Sequence, residues 1–154
     1  GEFREAIQKG LKFNSTHPLN QMTLIELSYA YHKIAMPDSA DYYRVQFKNV
    51  MAAMLYSGKG TTADSDFFSL TPIDGQNFIR KYMASKIGTM SSGSDSHDNF
   101  VDILGVIPKD GVGEEVLFYF HIEHAMKELK LQLNDAKNSK ENKNIKEKRK
   151  KKGK

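Results

Sequence analysis

The stretch Val116-Leu117-Phe118-Tyr119-Phe120-His121-Ile122 constrains the fold more than any other. It is the densest apolar and aromatic run in the chain. In a strand, Val116, Phe118, Phe120 and Ile122 point one way, and Leu117, Tyr119 and His121 the other. One face is wholly apolar, so its burial fixes the register. The other face is mixed and is expected to be half exposed. The preceding helices are therefore expected to pack on this ribbon.

The first half of the chain carries helical spacing. Phe3, Ile7 and Leu11 form one stripe, with Gly10 and Asn14 as stop signals. Pro18 suits the first turn of a second helix. That helix carries Met22, Leu24, Ile25, Leu27, Tyr29, Tyr31 and Ile34 and ends before Pro37. A third helix, capped by Asp38 or Ser39, carries Tyr43, Phe47, Val50, Met51 and Met54 and ends at Ser57-Gly58. Short loops make the three helices antiparallel neighbours. Their packing resembles that of tetratricopeptide proteins, although no clean 34-residue repeat is present.

The second half mixes strands and short helices. Asp66 to Thr71 is a short strand, and a helix from Pro72 or Asp74 carries Phe78, Ile79, Tyr82, Met83 and Ile87 up to Gly88. Met90 to Asn99, rich in Ser, Gly and Asp, is expected to be a loop. Phe100 to Ile107 is a strand, and Pro108 to Gly113, with Asp110-Gly111 at its tip, turns the chain into the aromatic ribbon. A helix with Ala125, Met126, Leu129 and Leu133 on one side follows.

The expected fold class is α+β: three tetratricopeptide-like antiparallel helices, then a small, mainly antiparallel β-sheet with one or two extra helices. Residues 1–134 form the domain, helical over 1–57 and sheet-containing over 58–134, and 135–154 form a lysine-rich tail, disordered or a solvated helix.

Charge is divided in the same way. The tail holds ten Lys or Arg and three acids, a net of +7, within a chain of net +4. Residues 1–134 hold the other 13 bases and 16 acids, a net of −3. The basic pI thus belongs to the tail, and the uniformly basic surface usual in nucleic-acid-binding folds is absent. The tail residues Lys146, Lys148, Arg149, Lys150, Lys151 and Lys152 could contact phosphates or an anionic surface. They have no interleaved aromatics for base stacking. The chain has no cysteine, which excludes disulfides, thiolate catalysis and Cys-based metal sites. No apolar run approaches the ~20 residues of a membrane span. The sequence starts Gly-Glu-Phe-Arg, without Met, and reads as part of a longer or processed protein.

Several segments, in order, resemble the bacterial family called domain of unknown function 4919. They are Gly10-Leu11-Lys12-Phe13-Asn14 with the helix after it, Met54-Leu55-Tyr56-Ser57-Gly58-Lys59-Gly60-Thr61, Phe67 to Thr71, Phe100 to Gly105, and Leu117 to Ile122. The resemblance spans roughly residues 1–130. It implies an often exported bacterial protein, hence a periplasmic or extracellular location after loss of a signal. It assigns no activity and no catalytic residue.

Four features invite a chemical reading. Ser57-Gly58-Lys59-Gly60-Thr61-Thr62 is glycine-rich with a Lys, as phosphate loops are. A P-loop, however, follows a strand, precedes a helix and needs a wider Gly spacing, so a helix end with a turn is the better reading. Asp95, His97, Asp98 and Asp102 cluster in or beside the Ser-rich segment, and His121-Ile122-Glu123-His124 gives H-x-E-H. Oxygen- and imidazole-rich segments can hold Ca²⁺ or Zn²⁺, but neither spacing matches a calcium loop or the zincin H-E-x-x-H. His97, Asp95, Asp98, His121 and His124 are the metal or hydrolase candidates if the loop folds over His121. Tyr29, Tyr31, Tyr42, Tyr43 and Tyr56 load the helical half with aromatics, read mostly as packing.

No nucleophile–base pair, cofactor loop or metal signature stands out. The expectation is therefore a non-enzymatic binding or assembly module with no cofactor and no small-molecule ligand. A protein partner would meet the helical face. The rivals are a hydrolase-like enzyme built on the histidines and carboxylates, and nucleic-acid binding through the tail.

Overall fold

A computed structural model describes the backbone of residues 1–152 and side chains through Lys137. The fold is α+β. Helices α1 (Glu2–Asn14), α2 (Gln21–Lys33) and α3 (Pro37–Ser57) lead through a 3₁₀ turn (Ala63–Ser65) into β1 (Phe67–Phe68). Helix α4 (Pro72–Asn77) passes into a π turn (Phe78–Tyr82), followed by β2 (Lys86–Ser94), β3 (Phe100–Ile107), β4 (Val116–His121) and α5 (Glu123–Lys152). The lysine cluster of the tail lies outside the described side chains.

The helices obey their stripes. Asn20 caps α2 by accepting from the Thr23 N–H at 2.9 Å. Gln21, Leu24, Leu27 and Ala30 are the buried positions of α2, and Ala40, Phe47, Met51 and Met54 those of α3. α1 packs on α2, and α2 on α3. Tyr29, Tyr42 and Tyr56 correct the packing reading: they lie off these stripes and are exposed, while Tyr31 and Tyr43 stack face to face at 5.6 Å.

The sheet has the order β1-β4-β3-β2, with β1 parallel to β4 and the other pairs antiparallel. Its core face sets Phe67 beside Phe120 and Leu104 beside Phe118. Phe67 is the hub, with ring centroids 5.4 Å from Phe78 and 5.8 Å from both Phe118 and Phe120. Leu24, Met51, Met54 and Ile79 complete this core from the helices. The ribbon's apolar face is buried only over its second half: Phe120 and Ile122 are each 1% exposed, whereas Val116 is 53% exposed.

Two expectations are corrected. The Ser/Gly-rich segment is not all loop: Met90 to Ser94 belong to β2 and pair with Leu104 to Phe100. An edge strand needs only one partner and little burial, so backbone pairing suffices where side chains are small and polar. The helix expected to reach Gly88 stops at the π turn. Ala84 then takes a left-handed φ of 53°, and Ile87 and Gly88 enter β2.

The Gly58-Lys59-Gly60 turn also acts differently from a simple helix end. Gly58 has an extended backbone, and a Cβ there would collide with the Asp66 carbonyl. Gly60, at φ 70°, lies flat on the Phe67 ring, and its carbonyl accepts from the Tyr119 N–H at 2.9 Å. The two glycines let the loop fold onto β1 and β4. Ser57 Oγ accepts from the Phe68 N–H at 2.7 Å, tying the end of α3 to β1.

Candidate functional site

The joint between α3 and β1 opens a cleft of about 300 Å³. Pro18 and Leu19 form its rim before α2, Val50, Ala53 and Met54 its α3 wall, and Phe68 and Leu70 its sheet-side wall. Leu19, Phe68 and Leu70 are exposed at 54%, 44% and 43%, so the cleft presents apolar surface to water. Isolated exposed apolar residues are ordinary, but their convergence in one concavity makes this the candidate site.

Polar groups also line the cleft. Gln21 is 2% exposed; its amide Nε2 donates to Met54 Sδ at 3.1 Å, and its Oε1 is buried without a partner among the described residues. Asp74 opens α4 as a capping residue: its Oδ2 accepts from the Thr71 N–H at 2.8 Å and the Thr71 hydroxyl at 2.9 Å. Burial raises the pKa of Asp74, and the two Thr71 donors only partly offset it. Gln46 and Asn49 stand on the α3 side.

Phe68 also meets the histidines. His124 stacks on its ring at 4.9 Å, and His121 lies 6.3 Å from it and 6.4 Å from His124. His124 Nε2 sits 2.9 Å from the Leu70 carbonyl oxygen. A carbonyl can only accept, so Nε2 carries the hydrogen; Nδ1 is buried and has no partner among the described residues. His121 Nδ1 lies 3.3 Å from Asp66 Oδ2, a contact without the alignment of a hydrogen bond and an ion pair only with the ring protonated. Burial raises the pKa of Asp66, and His121 opposes the rise.

The other candidates go elsewhere. Asp95, His97 and Asp98 form the β2–β3 turn. Asp95 Oδ1 accepts from the His97 and Asn99 N–H groups, each at 2.8 Å, and Oδ2 from Asn99 Nδ2 at 2.8 Å. The Asn99 side chain, with these N–H groups, lowers the pKa of Asp95. Asp98 takes a left-handed φ of 61° in that turn. The turn is held by the Ser96 N–H donating to Asp64 Oδ1 at 2.7 Å. It therefore leans on the 3₁₀ turn, near enough for the Asp95 charge to add to the rise in the pKa of Asp66. Asp102 sits on the core face of β3 beside Phe120, where burial raises its pKa. Glu123 Oε2 accepts from the Phe100 N–H at 2.8 Å, which lowers its pKa. His121 and His124 thus stand beside Phe68, while Asp95, His97 and Asp98 stand in the β2–β3 turn. Among the described residues no three His, Asp or Glu side chains are grouped to hold a metal ion.

Sequence reasoning missed the cleft because its walls come from four separate elements. The one available signal was Gln21, a polar residue on the buried stripe of α2 in series with Leu24 and Leu27. No protein-family model, no curated protein and no solved structure matches the chain.

Proposed function

We propose that this chain is a non-enzymatic binding module that receives an apolar group of its partner in the cleft between α2, α3, β1 and α4. The observation that carries the reading is the cleft itself: exposed Leu19, Phe68 and Leu70 converge on a space of about 300 Å³, the lower end of ligand-holding pockets. The tetratricopeptide-like arrangement of α1 to α3 belongs with this proposal, because stacked helical hairpins commonly offer a concave binding face. So does membership of the family of unknown function that the sequence resembles.

Calorimetry tests the reading with anisole, a neutral apolar probe. Saturable heat is expected from the chain. Ala53→Trp, which fills the α3 wall, should abolish it while leaving the circular dichroism spectrum unchanged. Absence of saturable heat from the unsubstituted chain would sink the proposal.

The hydrolase-like reading has one observation behind it, the 3.3 Å contact between His121 and Asp66. Among the described residues no Ser or Thr hydroxyl hydrogen-bonds to His121, so an activated nucleophile is missing. Nucleic-acid binding by the tail is a separate proposal, tested by deleting residues 137–154 and measuring affinity at low and high salt.

A further inference from the structure

We infer that the cleft selects a primary ammonium group on an apolar stem, with Gln21 and Asp74 as the acceptors of its head. The inference rests on the binding reading above and names the ligand chemistry for the same site.

Gln21 is the stronger half of the argument. Its Nε2 is committed to Met54 Sδ, leaving Oε1 as the free group. Turning the amide over would face an oxygen to the sulfur and leave the NH₂ empty, so the hydrogen bonds assign Nε2 to the sulfur side. A buried acceptor with no donor is a standing cost that a ligand N–H removes. Asp74 adds a carboxyl that is 5% exposed and, among the described residues, has no cationic partner. An ammonium beside it offsets the burial that raises its pKa.

The lining decides the sign. Among the described residues it includes Asp74 and no Lys, Arg or His, and the Gln46 and Asn49 amides are neutral, so a cationic head finds a countercharge there and an anionic head does not. Leu19, Val50, Ala53 and Phe68 leave room for one ring or a short alkyl chain. A free amine and a protein lysine share this chemistry.

The test is calorimetric titration at neutral pH with 2-phenylethylamine, anisole and 3-phenylpropionate. The amine is expected to bind at least ~10-fold tighter than anisole, the ratio for one charge-assisted hydrogen bond, and the acid weakest. Gln21→Met and Asp74→Asn should each lower the ratio of amine to anisole affinity ~10-fold. Gln21→Met alone suffices if loss of the α4 cap unfolds the second variant. Nα-acetyl-lysine methylamide identifies the source: if it binds as the amine does, the head is a protein lysine; if only 2-phenylethylamine binds, the head is a free amine. Equal binding of amine and anisole, or tighter binding of the acid, overturns the inference and leaves the cleft reading standing. Failure of all the probes removes both.

Discussion

Phe120 and Val116 lie on the same face of β4, yet they should respond very differently to truncation. Phe120 is 1% exposed, sits against the rings of Phe67 and Phe78 at 5.8 and 6.1 Å, and has Gly75 flush against its face. Phe120→Ala removes a buried ring whose surroundings, strands on one side and the π turn on the other, cannot collapse into the space. The cost should be about 3–5 kcal/mol, the transfer loss plus the cavity. For a domain of ordinary stability, about 5–15 kcal/mol, that is a large fraction of the whole. Val116, at 53% exposed, has little to lose, and Val116→Ala should cost no more than about 0.5 kcal/mol. Urea unfolding followed by circular dichroism at 222 nm measures both, with equal slopes required for the comparison. Costs within about 1 kcal/mol of each other would refute the packing described here. They would mean that the ribbon is buried evenly or not at all.

Further predictions bear on the joints and on pH. Gly58→Ala should destabilise by about 1–3 kcal/mol, because the added Cβ meets the rigid Asp66 carbonyl; thermal melting reads the loss. Gly75→Ala gains helix propensity but drives a Cβ to within 2.9 Å of the Phe120 ring, so a lower Tm is expected in spite of the propensity. Thr71→Ala removes one donor to Asp74 and should cost about 1 kcal/mol through the start of α4. Asp102 has a folded pKa above its ordinary 3.8, so the folded state binds its proton more tightly than the unfolded state does. Its contribution to stability is present below about 3.8 and declines as pH rises to the folded value. Asp102→Asn should therefore raise stability at neutral pH and change little near pH 3, as urea unfolding at the two pH values would report.

Much of the fold was legible because burial writes a period into the sequence. The stripes of α2 and α3, the span of β3 and the aromatic ribbon all follow from residues that must leave water. β2 was hidden because Ser91, Ser92, Gly93 and Ser94 carry no such signal, and only pairing with β3 makes them a strand. The early end of the helix after Pro72 was hidden for another reason. Phe78, Ile79 and Tyr82 suit a longer helix, and it is the π turn and the left-handed Ala84 that redirect the chain. The individual histidine candidates could be named from the sequence, but their grouping depends on turns. Asp95 spends its carboxylate on its own turn, and His121 meets Asp66, which no spacing rule links to it. The cleft was least legible. Leu19, Phe68 and Leu70 look like core residues one by one, and only the fold brings them together with Gln21 and Asp74 in one cleft.

The chain has seven methionines, and among the described residues only Met54 stands in the cleft wall while holding the Gln21 amide. A spectrum of ¹³C-methyl methionine during titration with 2-phenylethylamine therefore tests the central claim most directly. The Met54 signal should shift saturably, while the signals of exposed Met36, Met83 and Met90 stay in place. A spectrum in which those three move and Met54 does not, or in which nothing moves, would contradict the account.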